Sequence, residues 1–357
     1  MKVVSVVGAR PQFIKLSALS SRLRKYHKEI IVHTGQHYDE ELSALFFKEL
    51  KIPKPDYDLE VGSGSQAEQT GKMLIKLEQV LEFEKPDLVL VYGDTNSTLA
   101  GALAASKLQI PLAHIEAGMR SYTDMPEEVN RKVTDHLSQI LFCPTHQSVK
   151  NLRKEGITKR VYLVGDLMYE ALICNLQTAQ KKSDILKKLN LNSKNFYLAT
   201  IHRAENTDYR DNLVKITKIL ESLDRKTIFP VHPRTRKYLE ERHLWNRLKK
   251  TRNLLLLDPI RYLDMLVLEQ NASLILTDSG GVQREAYFLK TPCLILRETT
   301  EWIEITKTNG FMTSSLDIKK VQRNLKRLNS SRISKKQATT NSSASRKILN
   351  ILNKFNG

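Results

Sequence analysis

The chain has 357 residues, 41% hydrophobic and 27% charged, the balance of a soluble folded protein with room for two domains of ordinary size. No apolar run approaches the roughly 18–20 residues a membrane span requires, and Cys143, Cys174 and Cys293 are too few and too scattered for a disulfide framework or a zinc cluster, as befits a reducing compartment. The formal charge of +18 invites nucleic acid, but eleven Lys and Arg and no acid crowd into residues 319–357, where "LNSSRISKKQATTNSSASRK" brings no stacking aromatics; a solvated basic end is expected, with no nucleic-acid partner.

In chain order, "VVSVVGARPQFIK" predicts a buried strand that turns at Gly8 into a helix, with neither GxGxxG nor GxxxxGK[ST] at the turn. Arg10 can chelate a phosphate edge there, and Lys15 is either a second cation or an ordinary solvated helix lysine. The strand starts at Lys2 with no secretion-signal pattern, so a cytoplasmic chain is expected. "EIIVHTG" and "DLVLVYGD" are the next strands; Asp94 closes the second and either caps the following helix or serves a ligand. After "IPLAHI" comes Glu116, a carboxylate that needs a task or a partner such as Arg120. "TDMPEEVNRKVTDHL" predicts a helix start with Pro near its first position; Glu127 and Glu128 suit the macrodipole there unaided, and Arg131 follows one turn later. "QILFCPT" and "VYLVGD" complete the first half.

The second half offers "FYLATIH", "TIFPVHP", "NLLLLDP", "SLILTDSGG" and "PCLILRE". His202 ends the first of these, where it can hold a phosphate, move a proton or simply bond backbone; His232 reads as structural, and His33 and His114 carry no separate signal. In "LILTDSGGVQREAYFL" the Ser279-Gly280-Gly281 turn precedes a helix whose free N–H groups favour phosphate. Glu285, one turn further in, can take two ribose hydroxyls or is a surface carboxylate.

Apolar runs this continuous, alternating with helical segments, imply parallel sheets covered on both faces. The fold class is therefore α/β, two doubly wound Rossmann-like domains over 1–166 and 167–339, changing over near Gly165-Asp166. Ligands of such sheets bind at the carboxyl ends of the strands, and two domains facing each other enclose a cleft. No HExxH or Cys/His spacing calls for a metal, and no GxSxG elbow for a serine nucleophile. Cations, carboxylates and a glycine turn suit a reaction in which a diphosphate departs while a carboxylate moves a proton.

Those residues resemble the non-hydrolysing UDP-N-acetylglucosamine 2-epimerases along nearly the whole chain, through "VVGARPQFIK", "TGQH", "PDYDL", "VYGDTNSTLAGALAA", "HIEAGMRS", "PEEVNR", "IHRAEN", "PVHPRT", "LTDSGGVQREA" and "RETTE". The resemblance implies a glycosyltransferase-B-like arrangement, with a C-terminal helix (about 340–357) packed on the first domain. It also implies cofactor-free interconversion of UDP-GlcNAc and UDP-ManNAc through a glycal, supplying ManNAc units for surface polysaccharide or glycan synthesis, in a cytoplasmic homodimer. By position, Asp94, Glu116 and Glu127 become acid/base groups, oriented by Arg131. Arg10, Lys15, His202, Ser279, Gly280 and Gly281 would meet the phosphates and Glu285 the ribose, with His202 counted among the catalytic groups. Ile260 and Met265 stand where the family has a glutamine and an aromatic near uracil. Gln36 and His37 match its site for a second UDP-GlcNAc acting as activator, which "GSGSQAEQT" matches poorly. The chain departs at Gln12, for the usual Glu of RPE; at Ala204, for an arginine; and at Trp302, where bacterial members commonly have arginine. A UDP-sugar glycosyltransferase and a hydrolysing epimerase are the competing readings.

Overall fold

Val3, Val4, Val6 and Val7 are fully buried, a burial that a strand attains only when both faces of its sheet are covered. They belong to β1 (Lys2–Val7), which pairs in parallel with both β2 (Lys28–His33) and β4 (Leu88–Tyr92). The computed structural model describes residues 1–36, 46–300, 302–306, 308, 310–330 and 343–355. They form two units, Met1–Ile173 with Thr340–Gly357, and Cys174–Thr339. The division falls inside the helix Leu167–Lys182.

In unit 1 a seven-stranded parallel sheet has the order β3-β2-β1-β4-β5-β6-β7, with β3 (Tyr57–Asp58), β5 (Leu112–Ile115), β6 (Ile140–Cys143) and β7 (Val161–Leu163). The helices that bear on the site are α1 (Arg10–Leu23), α2 (Gln66–Glu84), α3 (Asn96–Lys107) and α4 (Pro126–Leu137). Met73 and Leu77 of α2 and Ala100 and Ala104 of α3 cover Val4, Val6, Val89 and Val91 in one core. The alanine-rich α3 lets helix and sheet approach closely. The C-terminal helix Ala344–Leu352 belongs to this unit; its Ser345 N–H donates to Glu170 Oε2 at 2.9 Å, and Ile348 and Leu352 are fully buried.

In unit 2 six parallel strands have the order β10-β9-β8-β11-β12-β13: β8 (Tyr197–Thr200), β9 (Thr227–Pro230), β10 (Leu254–Leu257), β11 (Leu274–Thr277), β12 (Cys293–Ile295) and β13 (Phe311–Thr313). The helices α5 (Ala204–Thr207), α6 (Pro233–Glu241), α7 (Tyr262–Asn271) and α8 (Gly280–Leu289) carry its candidate site residues. Both sheets thus have the doubly wound order of Rossmann-like domains, and the chain is of the glycosyltransferase-B-like class. β3 and β13, two and three residues long, are the strands the apolar pattern does not announce. Cys143 is buried, and burial pushes its thiol up to about 12, out of reach of thiolate chemistry. No described helix is long and apolar enough to cross a membrane.

Two glycines of unit 1 should respond to alanine with opposite sign. Gly118 has φ +77°, and an added Cβ would lie 2.4 Å from the Ser148 carbonyl oxygen, whereas Gly71, inside α2, has nothing within 4 Å of that position. Urea unfolding should show Gly118→Ala destabilising by about 1–3 kcal/mol and Gly71→Ala stabilising by about 0.5–1 kcal/mol. Equal shifts would contradict the local geometry.

Candidate active site

The strand order of unit 1 reverses between β1 and β4: the chain leaves the two strands in opposite directions, opening a crevice at their carboxyl ends. Gln12 ties its two sides together. Its Oε1 accepts from the Gly8 and Ala9 N–H groups at 2.8 and 3.0 Å, and its Nε2 donates to the Tyr92 carbonyl and Thr98 Oγ1 at 2.9 and 3.0 Å. Arg10, the half-buried first residue of α1, stands between Ala9 and Gln12 of this tie; its guanidinium lies 5.2 Å from the centre of the Phe46 ring. Lys15 is only 5% exposed, so it is no solvated surface lysine, and it forms a close ion pair with Glu116.

Asp94 and Glu116 follow the ends of β4 and β5, adjacent strands whose backbones lie roughly 5 Å apart. Asp94 is not the cap of α3, because Thr95 fills that place. Its Oδ2 instead receives Arg131 Nε and Nη2 at 2.9 and 2.6 Å, while Asn130 Nδ2 donates to its carbonyl at 2.9 Å. Arg131 Nη1 reaches Glu128 Oε2 at 2.9 Å, and the Ser121 N–H and hydroxyl reach the same oxygen at 2.8 and 2.9 Å. Burial alone would raise the Glu128 carboxyl; the bonds from Ser121 and the Arg131 charge outweigh it and hold the group below the usual carboxylate range. Glu128 is thus the structural partner of Arg131, and Glu127, half-buried, stands beside it in the first turn of α4.

Arg120 does not meet Glu116. It is buried between Asp135, at 2.7 Å, and Glu155, which it grips with two bonds of 2.7 and 2.6 Å. Asp135 also faces His114 Nδ1 at 2.7 Å, and His114 Nε2 lies 2.7 Å from the Gly93 carbonyl, so this chain of charges braces the loops bearing Asp94 and Glu116.

Unit 2 repeats the reversal between β8 and β11. Here the tie is Asp278, fully buried: its carboxylate accepts from the His202 and Arg203 N–H groups at 3.1 Å each and from Asn206 Nδ2 at 2.9 Å. Burial pushes this carboxyl up despite those donors. His202, partly exposed, lies 5.4 Å from His232, ring centre to ring centre; His232 itself accepts from the Arg234 N–H at the start of α6. Ser279 caps α8, placing Gly280 and Gly281 in its first turn with their N–H groups at the carboxyl edge of the sheet. Glu285 is 2% exposed, no surface carboxylate, and its Oε1 accepts from the Tyr262 hydroxyl at 2.9 Å.

Ile260, half-buried, and Met265, buried, flank the start of α7. Trp302 is buried with its ring 3.4 Å from the Arg284 guanidinium carbon, so an apolar cover stands on a cation at that position. Gln36 Oε1 accepts from Ser97 N and Oγ at 3.1 and 2.7 Å; His37 lies outside the described residues. Among the described residues no group of three or more His, Cys, Asp or Glu could hold a metal ion. The bridging role of Gln12, the links from Arg120 to Asp135 and Glu155, and the residues Asp278 and Tyr262 are not evident from the sequence. Asp278 stands inside a quoted motif, "TDSGG", and its strand-end position is the signal that could have found it.

A family model described as UDP-N-acetylglucosamine 2-epimerase matches residues 21–353. A Methanococcus maripaludis protein described as a UDP-N-acetylglucosamine 2-epimerase homolog is 54% identical over 331 residues, covering 92% of this chain and 93% of its own. A UDP-2,3-diacetamido-2,3-dideoxy-D-glucuronate 2-epimerase of Pseudomonas aeruginosa is 47% identical over 85% of this chain and 86% of its own. The crystal structure of Methanocaldococcus jannaschii UDP-GlcNAc 2-epimerase in complex with UDP-GlcNAc and UDP superposes with a TM-score of 0.95 at 42% identity, covering 99% of this chain and 100% of the other.

Replacing Arg131 with Met should strand the carboxylates it bridges. In the wild type Glu128 is held low, so its contribution to stability is present at neutral pH and fades as pH falls through its folded pKa. The variant should lose about 3 kcal/mol at pH 7 and less at pH 5, where the abandoned Glu128 takes up a proton. Urea unfolding at the two pH values checks this; a loss that grows on acidification would contradict it.

Proposed function

The chain belongs to the UDP-N-acetylglucosamine 2-epimerase family, and on that footing we propose that it inverts carbon 2 of UDP-GlcNAc reversibly and without hydrolysis, giving UDP-ManNAc. The hydrogen on carbon 2 has no adjacent carbonyl to acidify it, so its removal is coupled to loss of UDP from carbon 1. A carboxylate takes the proton, the C1–O bond breaks with its electron pair leaving on the β-phosphate, and a C1=C2 glycal forms. Return of the proton to the opposite face and of UDP to carbon 1 completes the inversion with no net redox change and no cofactor.

The observation that carries this reading is the arrangement of acids with cations at adjoining strand ends: Asp94 with Arg131, and Glu116 with Lys15. Each carboxylate is oriented by a neighbouring cation, as a proton-transfer group must be. Asp94, Glu116 and Glu127 are the acid/base groups, and Arg131 orients Asp94. Arg10, Lys15, His202 and the N–H groups at the Ser279-Gly280-Gly281 helix start stabilise the departing diphosphate, the largest electrostatic demand of the step. Glu285 takes the ribose hydroxyls, and the backbone around Ile260 and Met265 borders the base. A homodimer, a cytoplasmic setting, supply of ManNAc units and an activator bound near Gln36 belong to the same reading and rest on the family. The Pseudomonas relative favours a second reading of the sugar ring alone, a diacetamido-glucuronate, with the same chemistry.

Proton NMR of UDP-GlcNAc with the protein in D2O tests the proposal. Deuterium should enter carbon 2 as UDP-ManNAc appears; free ManNAc with UDP would make it a hydrolase, and a requirement for an acceptor would make it a transferase. Turnover of the glucuronate sugar but not of UDP-GlcNAc would select the second reading. In the same assay Asp94→Asn should lose at least about a hundredfold in rate while UDP binding stays within threefold by calorimetry; an unchanged rate would remove Asp94 from the chemistry.

A further inference from the structure

Glu285 presents a physical problem that the ribose reading leaves open. A carboxylate this deeply buried is costly unless donors meet it, and a long flexible side chain must be held in one rotamer to offer its oxygens to a ligand. Tyr262 meets both needs. It is fully buried as the first residue of α7, which fixes its ring, and its hydroxyl donates to Glu285 Oε1 at 2.9 Å across to α8. Tyr262 also lies between Ile260 and Met265 in the chain, so this one hydrogen bond joins the segment assigned to the base with the carboxylate assigned to the sugar.

We propose that Tyr262 is a positioning residue that sets the protein's preference for ribonucleoside over 2′-deoxyribonucleoside diphosphates, by orienting Glu285 toward the ribose hydroxyls. The proposal rests on the assignment of Glu285 to the ribose. With the phenol in place, the carboxylate approaches the diol in a fixed orientation; without it, the carboxylate loses a donor that sets that orientation, and the loss is greatest for ligands that use the 2′-hydroxyl.

Calorimetry with UDP and 2′-deoxy-UDP on wild type and Tyr262→Phe decides the matter, with thermal unfolding to establish that the variant is folded. Wild type should prefer UDP by about tenfold or more. Tyr262→Phe should bind UDP about tenfold more weakly while 2′-deoxy-UDP stays within about twofold, so the preference collapses. In a Glu285→Gln background the same substitution should leave the UDP to deoxy-UDP ratio where it is. Equal weakening of both nucleotides by Tyr262→Phe, or no change in either, overturns the proposal. A wild type that binds the two nucleotides equally instead removes Glu285 from the ribose, and that failure is visible before any variant is made. Should Tyr262→Phe not fold, the ratio in Glu285→Gln alone still decides whether the carboxylate reads the 2′-hydroxyl, and an unchanged ratio overturns the proposal.

Discussion

Each sheet of this chain has one place where neighbouring strands send their chains in opposite directions, and the rest of the site depends on how that place is held. A reversal leaves backbone groups at two strand ends without the ladder that satisfies them elsewhere. In unit 1 Gln12 supplies the missing bonds, two accepted from Gly8 and Ala9 and two donated to Tyr92 and Thr98. In unit 2 Asp278 does the same work as an acceptor alone, gathering His202, Arg203 and Asn206. The chemical difference matters: Gln12 must both give and accept, which a carboxylate cannot do, whereas every group facing Asp278 is a donor. Arg10 and His202 each stand next to such a tie.

The charges around these ties are not arranged for stability. Buried ion pairs repay little of their desolvation cost, yet Lys15 with Glu116 and Arg131 with Asp94 and Glu128 sit at the sheet edge, where apolar residues could close the fold. Their retention fits a site that must present oriented carboxylates and ready cations before a ligand arrives. The Arg120 chain differs: His114, Asp135 and Arg120 are fully enclosed, Glu155 closes the outer end, and together they hold the loops after β4 and β5.

The strands were legible because apolar runs such as "VVSVV" and "LVLVY" can only be buried, and the helix starts because Pro126 and the Ser279-Gly280-Gly281 turn are local signals. What stayed hidden was partnership. Glu116 looked nearest to Arg120 along the chain, but its cation is Lys15, about a hundred residues away in sequence and close only because β1, β4 and β5 are laid side by side. Asp94 looked like a cap until Thr95 took that role. Tyr262 and Glu285 could not be paired from sequence at all, since the bond joins two helices. Residue types at strand ends were readable; the contacts that set their states needed the sheet order.

If the reaction is departure and return of UDP at carbon 1, the most direct measurement is positional isotope exchange in UDP-GlcNAc labelled with oxygen-18 in the bridge between carbon 1 and the β-phosphorus. Over many turnovers, phosphorus NMR should show the label spreading from the bridge into the non-bridging β-phosphate oxygens while both epimers accumulate. Epimerisation that proceeds with the label still wholly in the bridge would contradict free departure and return of UDP at carbon 1.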